Sequence, residues 1–95
     1  MKRRVLIGLL LGTLIACASA PVQEMSDARQ ALRSAEAVGA AELSPAQYTA
    51  AMISLQKASE WLQLGFYTNA RIHALAAREQ AIEAREVALD SSSHR

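Results

Sequence analysis

Apolar residues recur along most of this chain at intervals of three and four, the spacing of one face of an α-helix. No stretch alternates with the period of two that marks a half-buried strand. In residues 25–39, Met25, Ala28, Leu32, Ala35 and Gly39 keep the rhythm, and Asp27, Arg29, Gln30, Arg33, Ser34 and Glu36 fill most of the other positions. This predicts an amphipathic helix that starts at Val22 or Ser26 and stops at Gly39. In residues 45–64 the stripe is Tyr48, Ala51, Leu55, Ala58, Leu62 and Gly65, with a looser second apolar side of Ala50, Ile53, Trp61 and Leu64. Ser44-Pro45-Ala46-Gln47 reads as a capping box with proline at the first helical position, and Leu43 and Tyr48 are spaced for a hydrophobic staple. In residues 67–90, Tyr67, Ala70, Ala74, Ala77, Ala81, Ala84 and Ala88 form a heptad seam. Leu75, Ile82 and Leu89 repeat every seven residues beside it and widen the face. Ser91 to Arg95 reads as a frayed polar tail.

Short connections, Ala40 to Ser44 and Gly65 with Phe66, make neighbouring helices antiparallel. The predicted fold class is all-α: an up-down-up three-helix bundle after an N-terminal signal helix. A helix with two apolar sides belongs between two neighbours, here the first and third helices; the alternative is an outward surface built on Ile53, Trp61 and Leu64. Twenty alanines among 95 residues supply many small apolar positions and few large ones. So small and alanine-rich a core stabilises weakly, and a protein partner or self-association is expected. The heptad seams at Tyr67 to Ala88 and Met25 to Gly39 are the surfaces that copies would share.

The N-terminal segment has a different grammar. Lys2, Arg3 and Arg4 precede an apolar run from Val5 to Ala16, twelve residues long. That suits the core of a signal peptide and falls short of the roughly 20 residues of a spanning helix. Ala18-Ser19-Ala20 fits the small-x-small rule of an ordinary signal peptidase, but Pro21 would follow the scissile bond. Leu14-Ile15-Ala16-Cys17 instead resembles the lipobox of bacterial lipoproteins. That resemblance implies a signal peptide of residues 1–16 recognised through Leu14, Ile15 and Ala16, then a lipidated Cys17 opening a short tether of residues 17–24. It also implies membrane lipid as the partner of acylated Cys17. Ala18 after the cysteine is similar to lipoproteins passed on to an outer membrane, which gives an expected location on the periplasmic side of the envelope. An inner-membrane protein held by an uncleaved N-terminal helix is the alternative. Removal of the three leading basic residues leaves seven basic against nine acidic side chains, so no polybasic surface remains and nucleic acid is not an expected partner.

Two further resemblances concern the body of the chain. Ala58, Trp61, Gly65, Tyr67, Ala70, Ala74 and Ala77 follow the order of a single tetratricopeptide hairpin, in which small residues let two helices touch while aromatics fill the wedge beside them. Ala58 stands where that repeat has glycine, Ala74 replaces a larger residue, and no proline follows Ala77. One unit implies no peptide-binding groove. Ser44-Pro45, Tyr48, and the run Ala51, Leu55, Ala58, Leu62, Gly65, Tyr67 and Ala70, after an alanine-rich first helix, resemble a family of small bacterial envelope lipoproteins whose shared domain has no assigned function. Some relatives carry a second, outer-membrane-protein-A-like domain that grips peptidoglycan. This sequence runs to Arg95 without one, so wall binding is not expected of it.

Candidate chemistry is sparse. His73 and His94 lack the neighbouring cysteines or spaced carboxylates of a zinc site, so no metal or cofactor is expected. Ser91 to Ser93, His94 and Asp90 contain the letters of a hydrolytic triad in a tail expected to be too loose to align them. Arg71, Arg78 and Arg85 recur every seven residues with no acid three or four positions away. They either flank the seam as solvated side chains or pair with acids elsewhere, such as Glu36 or Glu60. The expected function is that of a non-enzymatic, membrane-anchored helical binding or structural accessory, with Ile53, Trp61, Leu64, Arg71, Arg78 and Arg85 as candidate interaction residues. The alternative is a self-associating structural protein.

Overall fold

The computed structural model describes residues 20–94. Leu14, Ile15, Ala16, Cys17 and Arg95 lie outside the described residues. Within that span the chain is all-helical: α1 covers Val22–Ala37, α2 Ala40–Leu43, α3 Pro45–Gln63 and α4 Tyr67–Ser93. The described residues thus hold four helices where the spacing predicts three. The extra one, α2, fills the expected five-residue loop. Gly39 takes φ +82°, which ends α1, and its carbonyl then accepts the amides of Glu42 at 3.1 Å and Leu43 at 2.9 Å. Ala40, Ala41, Glu42 and Leu43 all favour helix, so one turn closes before Pro45 starts α3. The expected frayed tail is also helical as far as Ser93, whose hydroxyl donates to the Asp90 carbonyl at 2.9 Å.

The α3–α4 turn is fixed by a complete Schellman motif. Gly65 at φ +83° donates to the Leu62 carbonyl, and Phe66 donates to the Trp61 carbonyl, each at 3.0 Å. The apolar contact that accompanies such a motif is present: the Trp61 and Phe66 rings meet edge to face, 5.5 Å apart.

The core sits on one face of α4. Ala70, Ala74, Ala77, Ala81, Ala84 and Ala88 are all buried, and α1 and α3 both pack on them while touching each other far less. Three clusters give the register. Met25 of α1 and Ala58 of α3 meet Ala74; Leu32 and Ala51 meet Ala81; Ala35 and Ala40 meet Ala84 and Ala88. Residue numbers rise together along α1 and α4 and oppositely along α3, so α1 runs with α4 and α3 runs against it. With no side chain beyond Cβ, each alanine lets both neighbouring helices approach closely. Leu55, Leu62 and Tyr48 fill the space around them.

Four expectations are corrected by this packing. Tyr67 is 40% exposed and does not extend the buried seam, nor does it fill a wedge between helices. Leu75 and Leu89 are exposed and Ile82 only half-buried, because both neighbours sit over the narrow alanine face and neither reaches the adjoining row. Ile53 and Leu64 are exposed because α1 meets α3 along its Tyr48–Leu55 edge, away from that second side. The capping box is not formed: the Ser44 hydroxyl caps no amide of α3. It donates instead to the Ala84 carbonyl of α4 at 2.6 Å and lies 3.2 Å from the Ala40 carbonyl. The seams proposed for contact between copies are also occupied within the chain, since Met25 to Ala35 and Ala70 to Ala88 face one another.

Ala81→Leu places three extra carbon atoms between Leu32 and Ala51. Urea denaturation should show a loss of about 1–3 kcal/mol, whereas Leu89→Ala on the exposed row should stay within about 0.5 kcal/mol. Gly65→Ala should cost about 1–2 kcal/mol; a Cβ there meets open space, so the loss measures the left-handed backbone alone.

Candidate functional site

Polar groups anchor the helices where the alanine seam supplies little area. Ser54, buried on α3, lies 2.6 Å from the side-chain amide of Gln80 on α4. With the amide nitrogen turned toward α3, the two Gln80 N–H groups are shared among Ser54 Oγ and the carbonyls of Ala50 at 3.0 Å and Ala76 at 3.3 Å. That orientation satisfies more partners and is the one the network favours. On the other flank, Arg71 Nε donates to Glu24 Oε2 at 2.7 Å, joining the start of α4 to the start of α1. The hydrogen bond from Arg71, and then one from its own backbone amide, hold the Glu24 carboxyl below its ordinary value of 4.5.

The arginine row therefore divides. Arg71 pairs across helices, with Glu24 rather than Glu36 or Glu60. Arg78 lies 3.6 Å from Glu79, its neighbour in sequence, and is largely solvated. Arg85 is exposed and makes no ion pair among the described residues.

The candidate apolar residues also separate. Trp61 and Leu64 line an open cavity of about 400 Å³ with Lys57, Glu60 and His73, near the α3–α4 turn. Ile53 is exposed further back along α3, outside that lining. A second cavity of about 400 Å³ lies between α1 and α3, walled by Leu32, Tyr48, Met52 and Leu55 and rimmed by Arg29, Gln56 and Ser59. It exists because α1 and α3 rest side by side on α4 without closing on each other. Sequence reasoning missed it by counting Leu55 and Tyr48 as core; the exposed Met52, off the main stripe, was the available signal.

The letters of a triad do meet at the end of α4, in an arrangement that cannot relay a proton. His94 Nδ1 lies 2.8 Å from the Asp90 carbonyl, 3.4 Å from Ser93 Oγ and 3.6 Å from Asp90 Oδ1. One ring nitrogen faces both the acid and the hydroxyl, whereas a general base needs a different nitrogen for each. A carbonyl only accepts, so Nδ1 carries the proton and caps the helix end. Among the described residues no three His, Cys, Asp or Glu side chains are grouped to hold a metal ion. No helix of the described residues is long and apolar enough to cross a membrane.

These features define a small all-helical domain that keeps its alanines inside and several large apolar residues outside. The family model for a domain of unknown function (DUF4398) matches residues 23–95, and the chain belongs to that family. No curated protein and no solved structure matches it.

Glu24 supplies the pH test. Because its pKa is lower in the folded protein, the pair contributes stability above about 4.5 and loses it as pH falls through the folded value. Glu24→Gln should therefore be less stable than the native chain near neutrality. In urea melts the two should converge well below pH 4.5.

Proposed function

We propose that the protein is a non-enzymatic lipoprotein of a bacterial envelope, tethered through acylated Cys17 and presenting a helical binding or structural module on the periplasmic side of the outer membrane. The observation that carries this reading is the run Leu14-Ile15-Ala16-Cys17, at the end of a short apolar segment that follows three basic residues. Two or three acyl chains on one cysteine hold a protein to a bilayer stably, where a single chain holds it marginally. The module is read as an up-down-up arrangement of α1, α3 and α4 whose α3–α4 hairpin resembles one tetratricopeptide unit. Ala58, Ala70, Ala74 and Ala77 support that reading as the small residues at which two helices touch.

What the module would bind follows from what stays uncovered. The α1–α3 cavity and the exposed residues Ile72, Leu75 and Leu89 along α4 are apolar surfaces suited to a protein partner or a second copy. The self-association reading now rests on that α4 row, since the alanine seam is occupied internally.

Radiolabelled fatty acid should be incorporated by the native chain and not by Cys17→Ser, and the mature mass should lack residues 1–16. Equal incorporation by the two chains rejects the tether. A mass that retains Met1 selects the uncleaved inner-membrane anchor.

A further inference from the structure

We propose that the α3–α4 turn, together with the start of α1, is a membrane-contacting tip that seats this domain on the lipid surface to which Cys17 is attached; this rests on the tethered reading above. Three helix ends meet there. Arg71, in the second turn of α4, is bonded to Glu24 in the first turn of α1, and α3 ends at Gln63, just before the turn. The start of α1 and the Gly65 turn therefore lie at the same end of the molecule.

That end is unusually apolar on its outside. Val22 is 71% exposed, Leu64 66%, Phe66 56% and Tyr67 40%, with Trp61 half-buried against Phe66. The run Leu64-Gly65-Phe66-Tyr67-Thr68-Asn69 carries no charge. Trp, Tyr and Phe beside an aliphatic residue are the side chains that settle at the headgroup level of a bilayer, where a ring meets apolar chains and a polar edge meets water.

The tether sets the height. Four residues lie between Cys17 and Val22, five Cα steps or roughly 17 Å at full extension, so an acylated Cys17 would hold the start of α1 within that distance of the lipid surface. Charge points the same way. Toward the opposite end Glu36, Glu42, Glu83, Glu86 and Asp90 outnumber Arg33 and Arg85, whereas in the half nearer the tip Glu24, Asp27 and Glu60 are matched by Arg29, Lys57 and Arg71. An anionic lipid surface would repel that end and leave the uncharged turn facing it.

Trp61 is the chain's single tryptophan and reports the contact directly. The acylated mature chain, from Cys17 onward, is reconstituted into vesicles of phosphatidylethanolamine and phosphatidylglycerol that carry bromine on the acyl chains, either near the headgroup or near the chain end. Trp61 fluorescence should be quenched more strongly by bromine near the headgroup. Leu64→Glu and Val22→Glu should each roughly halve that quenching while the protein still floats with the vesicles. Leu89→Glu, on the exposed row toward the far end of α4, should leave it unchanged. Circular dichroism confirms that each variant keeps its helices.

Floating protein whose Trp61 is not quenched, or is quenched equally in Leu64→Glu, overturns the tip and leaves the tether standing. Protein that neither carries acyl chains nor floats overturns both.

Discussion

Six alanines on one face of α4 decide how near its neighbours come, and the rest of the structure follows from that approach. Cβ is all that separates α4 from α1 and α3 along the seam, so backbone meets backbone at close range and small errors in volume have no flexible side chain to absorb them. An alanine also covers little area, and each contact stabilises less than a leucine would. Alignment is accordingly reinforced by polar bonds that are specific in position. Ser44 reaches the Ala84 carbonyl, Ser54 meets Gln80, and Arg71 holds Glu24. Each joins two elements that the seam alone would let slide.

A narrow seam has a second consequence. Two helices resting on one slim face of a third cannot also close on each other, and a cavity remains between them. Nor can they cover the rest of either neighbour. Met52, Ile53, Leu64, Phe66, Ile72, Leu75 and Leu89 are therefore outside, while the fully buried hydrophobic positions are mostly alanine. Bulk that would ordinarily fill a core is displaced to the surface, where it stabilises the fold little and is available to other molecules.

Helix positions and the seam were legible in the sequence because both depend on local rules. Gly39 and Gly65 stop helices for a reason that one residue carries, and period seven along α4 survives folding unchanged. What was not legible depends on which elements meet. Ser44 has the sequence context of a cap, yet a carbonyl forty residues away lies closer to its hydroxyl than the amides of α3. Leu75, Ile82 and Leu89 read as core by period alone, and only the width of the neighbours' footprint excludes them. The partner of Arg71 is of the same kind: its own helix offers no acid within a turn, and register brings Glu24 from α1. Of the candidate surface, Trp61 and Leu64 share a cavity, Arg71 lies toward the same end of the molecule, and Ile53, Arg78 and Arg85 fall elsewhere.

The placement of the large side chains bears on the tether proposed above. Met52, Ile53, Ile72, Leu75 and Leu89 are exposed along α3 and α4, while Leu64, Phe66 and Tyr67 follow one another through the turn, beside Val22, at the end where α1 starts. A turn in water is normally polar; this one closes on a glycine that takes the left-handed backbone without strain and on the Trp61–Phe66 contact. The same residues thus close the hairpin and leave an aromatic turn without charge of its own. The proposed N-terminal anchor would bring that end nearest the lipid, because α1 starts there. Under the proposed tether, the opposite end, with its acids and α2, faces away from the lipid, and the cavity between α1 and α3 opens midway along the bundle.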